Sequence, residues 1–215
     1  MRRRIGWISS LTVVGLAAAV IGIVVATSSA GSDPASGLNA FEHGTPAKID
    51  SGLVEHLRSQ DVDISGNDAV AVKPVDGDSS WTLAEGADDV CLVRSADGAN
   101  VVSCGPKTNL RRGAIVSFTP NEQAAESLGI PKKFEANTVA RAKPSTPTGS
   151  ATFQGVAAND VTEAAAVTAD GKVLRSSKVV DNVFVLADVP FAEVANIRLT
   201  RENGETSVQP AAAGR

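Results

Sequence analysis

Cys91-Leu-Val-Arg-Ser-Ala-Asp-Gly-Ala-Asn-Val-Val-Ser-Cys104 is the stretch that decides how this chain folds. Asp97-Gly98 at its centre suits a two-residue type I′ turn, which needs positive φ at both positions. With those two residues as the turn, Ala96 faces Ala99, Arg94 faces Val101 and Val93 faces Val102. Two steps of the same ladder further out, Cys91 falls opposite Cys104. Alternation from the turn makes this a non-hydrogen-bonded pair, where Cα atoms approach to about 4.5 Å, within disulfide range. A redox pair would prefer Cys-x-x-Cys spacing, and a metal centre would need further ligands nearby. No other cysteine exists in the chain, so Cys91 and Cys104 are expected to form a structural disulfide. Such bonds persist in oxidising compartments.

The N-terminus predicts how the hairpin reaches that compartment. Residues 5–26 are 22 consecutive positions without a charge, directly behind Arg2, Arg3 and Arg4. As a helix they would extend about 33 Å, enough to cross a hydrocarbon core of about 30 Å. The arginines bias their end toward the cytoplasm. The expected layout is a cytoplasmic tail over 1–4, a transmembrane helix over 5–26 and a flexible tether over 27–40. An extracytoplasmic domain over 41–208 and a disordered tail over 209–215 follow. The alternative is a secreted protein cleaved after Ala30, since Ser28-Ser29-Ala30 offers small residues to a signal peptidase. The apolar run is longer than a typical signal core of about 7–15 residues, which favours a retained signal anchor.

Outward from the hairpin, the texture stays β-like. Ala69–Val72, Trp81–Leu83, Ala114–Phe118 and Val161–Val167 read as strands. Asp170-Gly171 predicts a second hairpin with Val167 opposite Leu174, and Asn203-Gly204 a third with Leu199 opposite Val208. Asp181-Asn182 marks a turn or bulge between two valine-rich runs. Two short helices interrupt the strands. Thr45-Pro46 reads as N-cap and first helical residue, with Ile49, Leu53 and Leu57 on one apolar face. Thr119-Pro120-Asn121-Glu122 reads as a capping box, with a stop near Leu128-Gly129. The segment 143–150 is a loop or a subdomain boundary. The fold class is therefore mostly β, antiparallel and hairpin-rich, with two short helices behind one N-terminal transmembrane helix; by element count it is α+β.

Composition excludes several functions. The chain carries −4 overall, and setting aside the three arginines before residue 30 leaves −7 outside. That argues against nucleic acid and against anionic envelope polymers as partners. Tyr is absent and Trp81 is the one indole beyond the apolar run, so Trp81 is expected in the core. No Gly-x-Ser-x-Gly, P-loop or dinucleotide fingerprint is present. Asp61, Asp63, Ser65 and Gly66 open like a calcium loop, but Val72 stands where a bidentate Glu is required. A polar helix-exit turn is expected there. His43 and His56, without a third placed ligand, make a poor zinc site. Asp88-Asp89 is the densest acidic pair and is expected to end a loop before the Cys91 strand. No catalytic, cofactor-binding or metal residue is assigned, and no cofactor is implied.

Gly155-Val156, Val161–Val167, Asp170-Gly171 and Val180-Asp181-Asn182-Val183-Phe184, behind Trp81, Cys91 and Cys104, form a recognisable series. It resembles a pattern in uncharacterised actinobacterial membrane-anchored or secreted proteins with a Cys-pair hairpin and a Val-x-Asn-Val-aromatic strand. The likeness spans residues 81–205, and Ala158-Asn159-Asp160 departs from the Pro-Asp-Gly usual in that pattern. It implies a fold and a location, and no activity. The expected role is a single-pass, non-catalytic binding module with an envelope protein partner. A secreted or tethered hydrolase using a carboxylate pair is the alternative.

Overall fold

The computed structural model describes residues 37–75, 80–96, 99–127 and 148–211, together with a two-residue strand, β1 (Val13–Val14). The helix expected over 5–26 otherwise lies outside the described residues. So do the Asp97-Gly98 turn, residues 128–147 and residues 212–215. Among the described residues, no helix is long and apolar enough to cross a membrane.

The first sheet is an antiparallel meander of β2 (Thr45–Ala47), β3 (Ala69–Val72), β4 (Ser80–Glu85), β5 (Asp89–Ala96) and β6 (Ala99–Pro106), with β1 on its outer edge. The Cys91 hairpin has the register expected of it: Ala96 pairs with Ala99, and Cys91 with Cys104. The two sulfurs are bonded, with Cα atoms 4.1 Å apart. Both cysteines are buried, and they pack with Leu53, Leu57, Val62 and Ile64. Leu53 and Leu57 come from helix α2 (Ser51–Arg58), which lies across this face of the sheet.

α2 starts later than the sequence suggested. Thr45 and Pro46 lie in edge strand β2, where a missing N–H is tolerated. The cap is Asp50, whose carboxylate accepts the Leu53 N–H at 3.1 Å. A similar shift occurs at α3 (Glu122–Ser127). Thr119 and Pro120 complete β7, and Asn121 Oδ1 accepts the Ala124 N–H at 2.8 Å. In both places a single Asx cap outcompetes the upstream Thr-Pro, because pairing to a neighbouring strand holds that dipeptide extended. Two further helical elements differ from the expectation: α1 (Asn39–His43), which straddles the expected end of the tether, and a 3-10 helix over Lys107–Arg112.

The second sheet has the order β11 (Val183–Pro190), β8 (Ser150–Ala157), β7 (Ala114–Pro120). One face packs Ile115, Val156, Val183 and Val185 against Trp81, Leu83, Val90 and Leu92 of the first sheet. The other packs Phe118, Phe153, Phe184 and Leu186 against Ala164, Ala166, Ile197 and Leu199 of the third. A sheet covered on both faces loses the apolar–polar alternation, which is why 114–118 reads as an almost continuous apolar run. Phe184 lies across Gly155: a Cβ there would stand 2.7 Å from the ring and would also meet the Ile115 carbonyl oxygen. Trp81 is in the core as expected, 3% exposed, with the Arg94 guanidinium 5.7 Å from its ring centre.

The third sheet runs β10 (Val173–Lys178), β9 (Val161–Val167), β12 (Asn196–Arg201), β13 (Thr206–Pro210). Two hairpin registers differ from expectation. Val167 pairs with Val173, Leu174 being displaced at a bulge, and Leu199 pairs with Ser207. Gly171 and Gly204 are the residues with positive φ in these turns. The Gly171 N–H is bonded to the Thr168 carbonyl and the Gly204 N–H to the Arg201 carbonyl. These are three-residue loops, a type I turn ending in a left-handed glycine. The third strand also outlasts the tail expected from Gln209: Pro210 is paired, and Ala211 is buried with its N–H on the Ala195 carbonyl.

Candidate functional site

A groove of about 520 Å3 opens where α1 meets the third sheet. Its floor and walls come from α1, the start of β9, the end of β10 and three turns. At its centre is Asn182, which ties α1 to the β8–β9 turn and which the sequence offers only as part of a turn.

Val180 and Val183 bridge each other, leaving Asp181-Asn182 as a two-residue turn with φ of 50° and 60°. Asp and Asn are among the few non-glycine residues that tolerate this region. Asn182 is 6% exposed. Its Nδ2 donates to the Ala157 carbonyl at 3.0 Å and to Asn159 Oδ1 at 2.8 Å, and its Oδ1 accepts the Ala40 N–H at 2.9 Å. Asn159, in the β8–β9 turn, accepts the Asn39 N–H at 2.9 Å and donates to the Gly37 carbonyl at 3.0 Å. The first N–H groups of a helix have no partner within it, and Leu38 at the N-cap makes no side-chain bond. Two asparagines more than a hundred residues away therefore cap α1.

The charged groups on the groove are Glu163, Asp181 and Glu202 against Lys178, with exposed His43 at its α1 end. Glu163 and Lys178 face each other across the β9–β10 pair. Glu202 is positioned by its N–H on the Asp160 carbonyl at 2.9 Å, and Asp160 pairs with Arg201. The Asn159 and Asn182 amides are occupied by internal bonds, so the three carboxylates and Lys178 carry the groove's charged chemistry.

The residues singled out from sequence mostly lie elsewhere. His43 is on the groove, whereas His56 sits on α2 beside Gln60. Asp61 to Asp68 form the polar exit from α2, with Asp61 at φ 61°. Among the described residues, no three His, Cys, Asp or Glu side chains are placed to hold a metal ion. Asp88 ends the loop before the Cys91 strand, whereas Asp89 is the first residue of that strand, and its carboxylate accepts the Asp63 N–H at 3.3 Å.

Burial lifts the Asp89 carboxyl above the usual aspartate range; the Asp63 N–H pulls it down, the Asp88 and Asp63 charges push it up, and Lys107 lowers it. Because its folded pKa lies above the unfolded one, ionised Asp89 destabilises the fold at neutral pH. That penalty fades as pH falls through the folded value toward the unfolded one. Asp89→Asn keeps an oxygen for the Asp63 N–H and removes the charge. The variant should melt above the wild type at pH 7, with the gap closing toward pH 4. A gap that calorimetry finds independent of pH would refute this cause.

No family model, curated protein or solved structure matches the chain.

Proposed function

We propose that this chain is an extracytoplasmic binding module on a single N-terminal anchor, and that its groove takes a basic segment of an envelope protein partner. The observation that carries the reading is the groove itself, in which three carboxylates from three separate elements are set against one lysine. A rim of that composition attracts lysine- and arginine-bearing surfaces and repels nucleic acid and acidic polymers. The buried Cys91–Cys104 bond supports an oxidising location, and the uncharged run over 5–26 supports the anchor. The module acts by holding its partner, with the three sheets as a rigid mount.

A fluorescent octalysine peptide titrated onto the full chain in detergent micelles tests the groove. Binding should weaken with salt, and the Glu163→Arg, Glu202→Arg double variant should lower affinity about tenfold, near the upper range for two exposed charge contacts. Equal binding by the variant, or none by the wild type, would defeat this assignment.

A further inference from the structure

Helix α1 is both a wall of the groove and the first described element after the expected anchor, straddling the end of the expected tether. It has five residues, whereas isolated helices shorter than about 12–15 residues are marginal in water. Its order therefore comes from docking. Leu38 and Ala40 are buried, and Phe41 packs beside them against the core shared by the first two sheets. The remaining hold is the cap supplied by Asn159 and Asn182, and every one of those bonds reaches a backbone group of residues 37–40. If the cap is lost, the few bonds of a five-residue helix and the docking of Leu38, Ala40 and Phe41 are all that hold α1 ahead of β2. The rest of the groove stands on β9, β10 and their turns, whose strands are paired independently of α1.

We propose that α1 is a latch on the groove: residues 37–43 dock and release as one unit, and their release removes one wall while the three sheets stay folded. This rests on the groove being the binding site proposed above and assigns its regulation. The state of the chain ahead of Gly37 would then be felt in the groove. A ligand touching α1 would favour the latched form, and unlatching would weaken that ligand by the same factor.

Hydrogen exchange followed by mass spectrometry on the full chain in micelles tests the latch without any ligand. Two variants separate it from general loss of stability. Asn159→Ala removes the acceptor for the Asn39 N–H and the donor to the Gly37 carbonyl. Asn39→Pro deletes that N–H at the first helical position, where proline is tolerated; Leu38, at φ −66° and ψ 137°, already has the conformation that precedes proline. Exchange in peptides covering 37–44 should quicken about tenfold in Asn39→Pro, the equivalent of one hydrogen bond, and by at least as much in Asn159→Ala, which removes two to this segment. Peptides from β8, β9 and β12 should be unchanged. If all these peptides accelerate together, or 37–44 does not respond, the latch is wrong. Octalysine added to the wild type separates the two proposals. Failure to bind counts against the groove's assignment, whereas binding that leaves exchange in 37–44 unaltered counts against the latch.

Discussion

Asn182→Ala should lower the stability of the domain by about 3–5 kcal/mol, a large share of the roughly 5–15 kcal/mol available to an ordinary domain. The substitution strands the Ala157 carbonyl, and it leaves the Ala40 N–H either stranded or freed by undocking α1 at the cost of the buried Leu38 and Ala40. A buried polar group left without its partner costs about 1–3 kcal/mol. Alanine must also adopt φ near 60°, for a further 1–2 kcal/mol or so. Asn182→Gly isolates the second contribution, since glycine enters that region freely. It should therefore recover about 1 kcal/mol of the loss in urea unfolding and no more. A melting curve for Asn182→Ala that overlays the wild type would mean that these bonds hold nothing together.

The weight placed on Asn182 explains where the sequence is legible and where it is not. The Cys91 hairpin was readable because turn, register and covalent bond all lie within fourteen consecutive residues, and each constrains the others. Asn182 announces only its turn; its partners lie 23 to 142 positions away, so its role exists only once three sheets have stacked. The hairpins show a subtler limit. Asp170-Gly171 and Asn203-Gly204 fit a two-residue loop as well as a three-residue loop ending in glycine, and the choice moved each register by one position. That choice is made by strand twist and packing, which no local pattern contains. Helix starts failed for a related reason: Pro46 and Pro120 are compatible with a helix entrance and with an edge or end of a strand, and pairing decided. The groove was illegible in principle, because its carboxylates come from separate turns and strands with no common motif.

Replacing both cysteines by alanine should cost about 3–4 kcal/mol and leave the fold recognisable by circular dichroism. Closing a loop with a sequence separation of 13 restricts the unfolded chain by about 3 kcal/mol in the chain-entropy view. The remainder is packing: Cys91 is 0% exposed and Cys104 4%, both against α2, and small cavities beneath Leu53 and Leu57 follow from removing the sulfurs. The native β5–β6 ladder continues on both sides of the bridge, so it does not need the bond to choose its register. Two measurements follow from that separation of roles. Under reducing conditions the wild type should unfold at a urea midpoint near that of the double alanine variant, with an unchanged slope. Thiol titration of the unfolded, unreduced protein should find no free sulfhydryl. Unreduced chains with two titratable thiols, or a double variant as stable as the wild type, would remove the oxidised hairpin from the account of this fold, and with it the chemical support for an extracytoplasmic home.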